Sequence, residues 1–343
     1  MRVRVPDYFD DFSCLAGACP HSCCIGWEVV LDAETVQRYR ALPGPLGQRL
    51  REAMTFDGED FCFPLNGGRC PFLNEENLCD IHCALGAEAT SVTCREHPRF
   101  IEDYGPFQEI TLSAACPKAN QLLLGSSGPL TFPERQNDEP MEEGDPWLDW
   151  LLPLRNHLLD LLRDREQPLK DRLRAFLLIA CEAQALLDDE RMEELSAFCA
   201  APHWAEVVPE KEGNWEKAAC RCLKELEILE PDWRTLLNRW GAEPASPVFA
   251  PREPEQLERI AVYFAFRHLL KAVNDGDLLG RAQFCVFGVL VTERLSHLAG
   301  LPEALRLFSR EIEHDEENLE ALLDAFQQRE GLSPASLLAA LEG

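Results

Sequence analysis

The distribution of cysteine constrains this chain more than any other feature. Ten of its 15 cysteines fall within residues 1–125. The same segment has Pro or Gly every few residues, short apolar runs, and helical spacing only near 32–41 and 46–54. A segment with so little apolar mass needs a cross-link to fold. The first residues contain no apolar leader, so we expect a cytoplasmic protein with reduced thiols, in which the cross-link is a metal rather than disulfides.

The rest of the chain has a different spacing of apolar residues. Residues 147–343 repeat the three-and-four apolar spacing of amphipathic helices. Between the two parts, residues 126–146 are rich in Gly, Pro and acidic residues without an apolar period, which predicts a linker or surface loop. The sequence therefore predicts a mainly α protein, in which a loop-rich, metal-stapled cysteine-cluster domain over 1–125 packs on an all-α domain over 147–343.

Charge and hydropathy exclude two classes of partner. The chain has 33 basic and 60 acidic residues, for a formal net charge of -27. Such a chain repels phosphate backbones, so nucleic-acid binding is not expected. No run approaches the roughly 18 consecutive apolar residues of a membrane span, so membrane insertion is not expected either.

The cysteines of the first segment follow an ordered spacing. In chain order they include Cys14-x4-Cys19-x3-Cys23-Cys24, Cys70-x8-Cys79, Cys94-x2-His97 and Cys116-Pro117. Neither paired C-x2-C knuckles nor a C-x3-C-x2-C triplet occurs in this segment. Numerous soft thiolates spread over a hundred residues suit iron–sulfur or zinc chemistry. The remaining cysteines are expected to be small hydrophobes in the helical half: Cys181, Cys199, Cys220, Cys222 and Cys285.

These motifs carry a family resemblance. The ordered set comprises Phe12-x-Cys14, Ser22-Cys23-Cys24-x2-Trp27, Leu31-Asp32, Cys70-x-Phe72-Leu73, Cys79-x-Ile81, Leu85-Gly86, Cys94-x2-His97-Pro98-Arg99 and Cys116-Pro117. It resembles the flagellin lysine N-methylase (FliB-like) family, whose cysteine core is shared with the YkgJ-type zinc- or iron-chelating family. The resemblance covers residues 8–120 and extends weakly to 263–268. The chain departs from the family pattern at Cys62, Cys83 and His97.

The resemblance implies an activity and a cofactor. The activity is methyl transfer from S-adenosylmethionine to lysine side chains of flagellin, and the cofactor is a [4Fe-4S] cluster, with zinc as the alternative metal. The implied ligand candidates are Cys14, Cys19, Cys23, Cys24, Cys70, Cys79, Cys94 and Cys116. A [4Fe-4S] cluster takes four thiolates, so eight candidates allow two sites, or one cluster with spectators. Because adjacent side chains diverge, we expect Cys23 and Cys24 to serve different sites, or only one of them to ligate.

Methyl transfer to lysine also requires a neutral amine, because an ammonium has no lone pair. Asp32 and Glu28 are the carboxylates nearest in sequence to the Cys23-Cys24 motif, so they are candidate catalytic groups, with His268 as a further candidate base. Trp27 is a candidate cofactor-binding residue that could stack on adenine or on the lysine cation. No Gly-x-Gly-x-x-Gly follows a strand, so a Rossmann-type cofactor site is not supported.

Two other interpretations stay open. His21, His82 and His97 lie within three residues of candidate ligands, and each is either a metal ligand, a hydrogen-bond partner of one, or a surface imidazole. The whole protein could also be a non-catalytic zinc- or iron-binding module, or an iron–sulfur redox sensor. The large helical half argues against a simple chelator, but it does not exclude a sensor.

Overall fold

Helices make up most of the molecule, as the apolar spacing predicts. The computed structural model describes residues 1–138, 140–204, 214–244, 249 and 251–342. The α-helices among them are α1 (Ala33–Ala41), α2 (Gly44–Ala53), α3 (Asp80–Leu85), α4 (Val92–Glu96), α5 (Pro117–Gly125), α6 (Leu148–Arg163), α7 (Leu169–Asp188), α8 (Met192–Ala200), α9 (Trp215–Glu225), α10 (Pro231–Ala242), α11 (Pro254–His268), α12 (Ala272–Asp275), α13 (Leu278–Ala299), α14 (Leu301–Phe308), α15 (Glu316–Gln328) and α16 (Pro334–Glu342). Within this described part, no helix is both long and apolar enough to cross a membrane.

Short strands form two small sheets in the first part of the chain. They are β1 (Arg2–Arg4), β2 (Val29–Leu31), β3 (Thr55–Phe56), β4 (Phe61–Phe63), β5 (Arg99–Asp103), β6 (Phe107–Leu112) and β7 (Glu134–Gln136). The first sheet has the order β5-β6-β1-β7, in which only β1 and β6 run parallel. The second is antiparallel, with the order β2-β4-β3. The segment 126–146, expected as a linker or surface loop, therefore contributes β7 to a sheet.

The central element of the helical part is α13. It is apolar on nearly every side, and every residue from Leu278 to Leu295 except Leu279 is buried, which is the pattern of a helix surrounded by others. It packs against α7, α11, α14 and α15. A Cβ at Gly288 would lie 2.8 Å from the Phe264 ring, so a glycine at this position lets α11 approach closely.

Buried ion pairs tie the sheet to the helices. Arg155 of α6 and Glu109 of β6 form a bidentate pair with both N–O distances at 2.7 Å, and their side chains are 1% and 3% exposed. Glu258 of α11 is likewise buried and forms ion pairs with Arg172 at 2.8 Å and with Arg165 at 3.0 Å. Because each charge is desolvated, each depends on its partner.

The cysteine-rich segment has a small apolar cluster of its own. Its members are Val29, Leu31, Val36, Tyr39, Leu50, Phe63, Cys70, Phe72 and Ile81. The part of the segment from residue 107 onwards joins the main core instead, including Phe107 and Leu112 of β6 and Leu123 of α5. The loops around β2 and β4, which we call the cysteine lobe (residues 12–98), are therefore the part with the least apolar support.

We expect Glu109→Gln to destabilise the fold strongly, because it leaves the buried Arg155 guanidinium without a counter-charge. The loss in free energy of unfolding should be about 3–5 kcal/mol, measured by urea denaturation followed by circular dichroism. Glu225→Gln is the matched control, because Glu225 pairs with Arg221 and Arg329 at the surface. Its effect should be negligible. Equal losses in the two variants would contradict this account of the buried pair.

Candidate functional site

Backbone hydrogen bonds bring three of the predicted cysteine ligands onto adjacent segments. The Cys70 amide donates to the carbonyl of Cys24 at 2.8 Å, and Ile25 pairs with Arg69 in an isolated bridge. A second bridge joins Leu73 to Cys79. Cys24, Cys70 and Cys79 therefore lie in one layer of loops, although 55 residues separate the first from the last.

The fourth member of this layer is Cys94. The Ser91 hydroxyl caps α4 and accepts from the Cys94 amide at 3.3 Å. The Asp32 carboxylate accepts from the Val92 amide at 3.0 Å, and the Thr93 hydroxyl donates to the Val30 carbonyl at 3.2 Å. These bonds hold the start of α4, and with it Cys94, against β2.

The thiols of this layer influence one another electrostatically. Burial, with smaller contributions from neighbouring thiols, raises the pKa of Cys70 to about 12 and that of Cys94 to about 11. Burial also raises the pKa of Cys79. A hydrogen bond from Cys23 instead lowers the pKa of Cys24 to about 7. We call Cys24, Cys70, Cys79 and Cys94 the first thiol group.

The other predicted ligands form a second set. Burial raises the pKa of Cys116, which precedes α5, and the nearby thiols of Cys19 and Cys14 act in the same direction. The Cys14 sulfur accepts from the Ala16 amide at 3.3 Å, and the Cys19 thiol donates to a carbonyl at 3.3 Å. We call Cys14, Cys19 and Cys116 the second thiol group.

Cys23 lies between the two groups. Its hydrogen bond with Cys24, together with burial, raises its pKa, and both Cys14 and Cys94 add to the shift. Cys23 and Cys24 therefore lie in different surroundings, although their thiols are hydrogen-bonded to each other.

The donor set fits a soft metal by its chemistry, although no coordination geometry is formed. All the cysteines are free thiols, and those of each group lie within electrostatic reach of one another. Among the residues that the structure describes, no three His, Cys, Asp or Glu side chains converge to hold a metal ion. The eight metal ligands therefore remain a prediction.

The other cysteines occupy different surroundings. Cys62 is buried in β4 with its sulfur 3.5 Å from Glu28, and Cys83 is exposed on α3. In the helical half, Cys181 is half-buried, and the rest are buried, as small hydrophobes are: Cys199, Cys220, Cys222 and Cys285.

Asp32 has a clear local role. Its carboxylate caps α1 by accepting from the Thr35 amide at 2.9 Å and the Thr35 hydroxyl at 2.7 Å, and it also holds Val92. Burial opposes ionisation, but these hydrogen bonds outweigh it and lower the pKa of Asp32 to about 2. The geometry shows that Asp32 positions α1 and α4, and its catalytic role stays a prediction.

The other two candidate bases lie in opposite environments. Glu28 is exposed at the edge of the cysteine lobe. His268 is only 1% exposed, lies within the helical core, and contacts Glu313 at 3.0 Å through Nε2. Burial lowers the pKa of His268 to about 3. Its imidazole is therefore neutral and closed off from a macromolecular substrate.

Trp27 lies where the cysteine lobe meets the helices. Its indole N–H donates to the Cys23 carbonyl at 2.6 Å. Its ring centroid is 5.1 Å from that of His314 and 5.8 Å from that of His97, and the Phe100 ring lies 4.8 Å from His314. We call Trp27, His97, Phe100 and His314 the junction cluster.

A π-helical turn, Ser309–Glu313, prepares the helical side of this junction. Such turns insert an extra residue into a helix and are frequent at functional sites. Its side chains diverge. Glu313 turns into the core and accepts from Arg267 at 2.8 Å, whereas Arg310 reaches the cysteine lobe and donates to the Ile25 carbonyl at 2.6 Å.

The Arg310 guanidinium determines the shape of the facing loop. It lies 3.8 Å from the Trp27 ring centroid. Gly26 has a φ of +92°, and a Cβ there would lie 2.5 Å from an Arg310 nitrogen. Only glycine satisfies both the backbone conformation and this close approach.

The imidazoles of the junction cluster are kept neutral. Burial lowers the pKa of His97 to about 4, with Arg310 acting in the same direction. Burial, His97 and the nearby guanidinium groups lower the pKa of His314 to about 3. The Nε2 of His314 also lies 2.7 Å from the Ser113 hydroxyl, which fixes the ring.

The second thiol group faces the same helices from another side. His21 lies 3.9 Å from Glu303, and Arg306 joins Glu303 at 2.8 Å and Glu230 at 3.0 Å. Arg306 also lowers the pKa of Cys19, against the larger effect of burial. Both thiol groups therefore lie near the seam between the cysteine lobe and the helical part.

Local sequence patterns do not reveal most of this seam. Trp27 is a candidate from its motif, whereas His97 stands out only as a neighbour of Cys94. Arg310, His314, Phe100 and Ser113 carry no local signal. Arg310 and His314 lie more than 200 residues after the motifs that they contact. A polar residue on an otherwise apolar helix does not by itself indicate which part of the molecule its side chain faces.

We expect Asp32→Ala to lower the free energy of unfolding at pH 7 by about 1 kcal/mol, because the N-cap is lost. The native pKa of Asp32 lies below its unfolded value. The stabilisation should therefore be complete above about pH 4 and should fade as the pH drops towards 2. Urea denaturation of both proteins from pH 2 to 7 measures this, with Glu28→Gln as the exposed control. A difference that grows towards low pH would contradict the assignment.

Comparisons with known proteins define the family. No family model matches the chain, and no solved structure matches it significantly. It is 29% identical over 216 residues to proteins named lysine-N-methylase from Salmonella choleraesuis and Salmonella typhimurium, covering 59% of this chain and 53% of theirs. It thus spans about half of their length.

A third relative is covered almost completely. The chain is 32% identical over 145 residues to the flagellar biosynthetic protein FliU of Salmonella muenchen, a match that covers 40% of this chain and 85% of that protein. The motifs that suggested the resemblance and these matches agree. The chain belongs to the FliB-like family of lysine N-methylases.

Proposed function

We propose that the protein transfers methyl groups from S-adenosylmethionine to lysine side chains of flagellin and that it does so with an iron–sulfur cluster in the cysteine lobe. Two relatives are named lysine-N-methylase and a third is named a flagellar biosynthetic protein. The observation that carries the proposal is the bond from the Trp27 indole to the Cys23 carbonyl. It holds the Trp27 ring against the loop that carries Cys23 and Cys24.

The first thiol group is the better candidate for a [4Fe-4S] cluster. Its members come from separate loops of one layer and are buried to different depths beside a small apolar core. Three or four of these thiolates would hold such a cluster, which would help to bind the methyl donor. Zinc is the alternative metal for the same thiols.

The chemistry required of the protein itself is modest. The amine nitrogen of lysine must present its lone pair to the methyl carbon. As the N–C bond forms, the C–S bond breaks and its electron pair stays on sulfur, so a sulfonium becomes a neutral thioether. One proton leaves the nitrogen for water or a base. The protein must therefore hold the amine close, neutral and correctly oriented.

The acidic surface suits this substrate class. A net charge of -27 attracts a lysine-bearing protein from a distance, while salt screens that attraction over about 8 Å at physiological ionic strength. The long-range field thus favours encounter with a cationic side chain.

One observation favours a second function. Cys14 is exposed, so oxidants could reach this thiol directly. An iron–sulfur redox sensor with the helical part as its interaction domain would use the same groups without methyl transfer.

We expect the purified protein, reconstituted anaerobically with iron and sulfide, to methylate flagellin when S-adenosylmethionine is added. Mass spectrometry of digested flagellin should show lysines that are heavier by whole methylene units. Omission of the methyl donor is the control. Reconstituted protein that carries visible absorption but transfers no methyl group would contradict the enzyme and favour the sensor.

We expect alanine at Cys24, Cys70, Cys79 or Cys94 to reduce iron content and visible absorption together with methyl transfer. The reason is that each removes a thiolate from one layer of loops. Cys62→Ala is the matched control, because Cys62 lies in the same lobe but its sulfur faces Glu28 rather than another cysteine. Cys116→Ala reports separately on the second thiol group. Full iron content in the Cys70 and Cys94 variants would contradict the assignment of the cluster to the first group.

A further inference from the structure

We infer that the free edge of the first sheet is a dimerisation surface, on which strand β5 (Arg99–Asp103) pairs antiparallel with the β5 of a second copy of this chain. The sheet, in the order β5-β6-β1-β7, then continues across a two-fold axis into the sheet of the second copy. The inference goes beyond the proposed function and does not depend on it.

The first step is the direction in which the backbone groups of β5 point. β5 pairs with β6 in an unbroken antiparallel register. The same register continues past both ends of the strand, where the Ser113 amide donates to the Pro98 carbonyl at 2.7 Å and the Tyr104 amide donates to the Phe107 carbonyl at 3.0 Å. Because hydrogen-bonded positions alternate along an antiparallel strand, the even-numbered residues between Pro98 and Tyr104 also bond to β6.

The odd-numbered residues of β5 face the other way. The amides and carbonyls of Arg99, Ile101 and Asp103 point away from β6, towards the free edge of the sheet. Among the residues that the structure describes, no backbone group of another segment bonds to them. Such a row of backbone groups without partners is a template for a further strand.

The sequence of this edge is complementary to itself. The strand reads Arg99-Phe100-Ile101-Glu102-Asp103. When two copies run antiparallel about an axis at Ile101, Arg99 of each lies opposite Asp103 of the other, and the two Ile101 residues face each other. All of these are positions whose backbone groups point outward, so each pair exchanges two backbone hydrogen bonds. Since directly opposite residues project from the same face of a sheet, two ion pairs flank an apolar centre.

The three side chains are available for this pairing. Ile101 is 41% exposed, which is unusual for an isoleucine in a strand. The Arg99 guanidinium has no carboxylate partner among the described residues. The Asp103 carboxylate accepts from the Gly105 amide at 2.8 Å and from the Gln108 side chain at 3.0 Å, which fix its position and leave lone pairs for a further donor.

The other strand edges in the described part of the chain do not offer the same fit. At the edge formed by β7 (Glu134–Gln136), a two-fold pairing sets Arg135 against its own counterpart, and like charges directly opposite each other destabilise a sheet. β3 has only two residues, and the carbonyl of Val30 in β2 already accepts from the Thr93 hydroxyl of α4. The charge pattern therefore favours β5, and it favours a copy of the same strand as the occupant, because that copy supplies both charges in the required order.

Two features limit the strength of the association. Each copy carries a net charge of -27, although salt confines the mutual repulsion to about 8 Å at physiological ionic strength. The pairing of two five-residue strands is also a small contact beside the roughly 1,600 Å² of a standard interface. We therefore expect a weak dimer whose population rises with protein concentration.

The pairing also brings the two candidate sites of the dimer close together. Phe100 belongs both to β5 and to the junction cluster, where its ring centroid lies 4.8 Å from that of His314. In the two-fold register Phe100 lies opposite Glu102 of the second copy, two positions from the Phe100 of that copy. The seams of both copies therefore flank the axis.

The first test is sedimentation velocity of the full chain over a range of concentrations at physiological ionic strength. The wild type should shift reversibly from one chain to two as its concentration rises. Ile101→Lys sets two ammonium groups against each other at the axis and should raise the dimer dissociation constant about tenfold. Val30→Lys is the matched control, because Val30 is a strand residue with 43% exposure outside β5. A wild type that stays monomeric, or equal weakening in the two variants, would overturn the inference.

The second test reverses the charges at the two ends of the pairing. Arg99→Asp and Asp103→Arg each place like charges opposite one another in a homodimer, so each variant alone should dimerise more weakly than the wild type. An equal mixture of the two should associate as tightly as the wild type, because every end pair then joins an arginine to an aspartate again. A mixture that associates no better than its components would rule out this register.

Amide hydrogen exchange of the wild type gives a test that needs no substitution and remains available if a variant fails to fold. Exchange at the Ile101 and Asp103 amides should slow as the concentration rises, whereas the Phe100 and Glu102 amides, which bond to β6, should exchange slowly at every concentration. A dimer in which Ile101 exchange is unchanged must use another surface, which contradicts the inference. Slower Ile101 exchange on addition of flagellin, in a chain that stays monomeric, would also contradict it and would assign the edge to a substrate strand.

Discussion

The π-helical turn at Ser309–Glu313 is the element on which the seam depends. Its extra residue lets neighbouring side chains point in opposite directions, so that Glu313 is anchored by Arg267 and His268 inside the core while Arg310 crosses to the cysteine lobe. The buried carboxylate cannot move without losing three donors, including the Tyr263 hydroxyl. The fixed turn therefore determines where Arg310 meets the facing loop, and Gly26 makes room for it.

Local and global electrostatics oppose each other in this protein. The chain as a whole is strongly acidic, yet the junction cluster lies beside two guanidinium groups that are paired on their inner sides. A cationic partner would be attracted by the surface as a whole, whereas the junction cluster itself carries two guanidinium groups.

The cysteine lobe shows how loops can be placed with little apolar support. Its small cluster around Tyr39 and Phe72 is supplemented by hydrogen bonds such as those from Val92 to Asp32 and from Cys70 to Cys24. These bonds position the backbone of the loops, and the backbone in turn positions the thiols. A bound metal would then add stability at the place where packing is thinnest, since metal binding energy is also folding energy.

The sequence by itself determined the helical half and the family. Apolar spacing over residues 254–273 and 278–299 depends only on local periodicity, and the cysteine motifs are contiguous enough to be recognised in order. It also singled out Trp27 and Asp32, but it had no means of separating a helix cap from a base, because both roles place a carboxylate after the same turn. Tertiary structure decided that Asp32 holds α1 and α4, and it brought Arg310 and His314 to Trp27. Contacts across more than 280 residues arise from how helices pack, and no local pattern encodes which distant side chain will fill a given space.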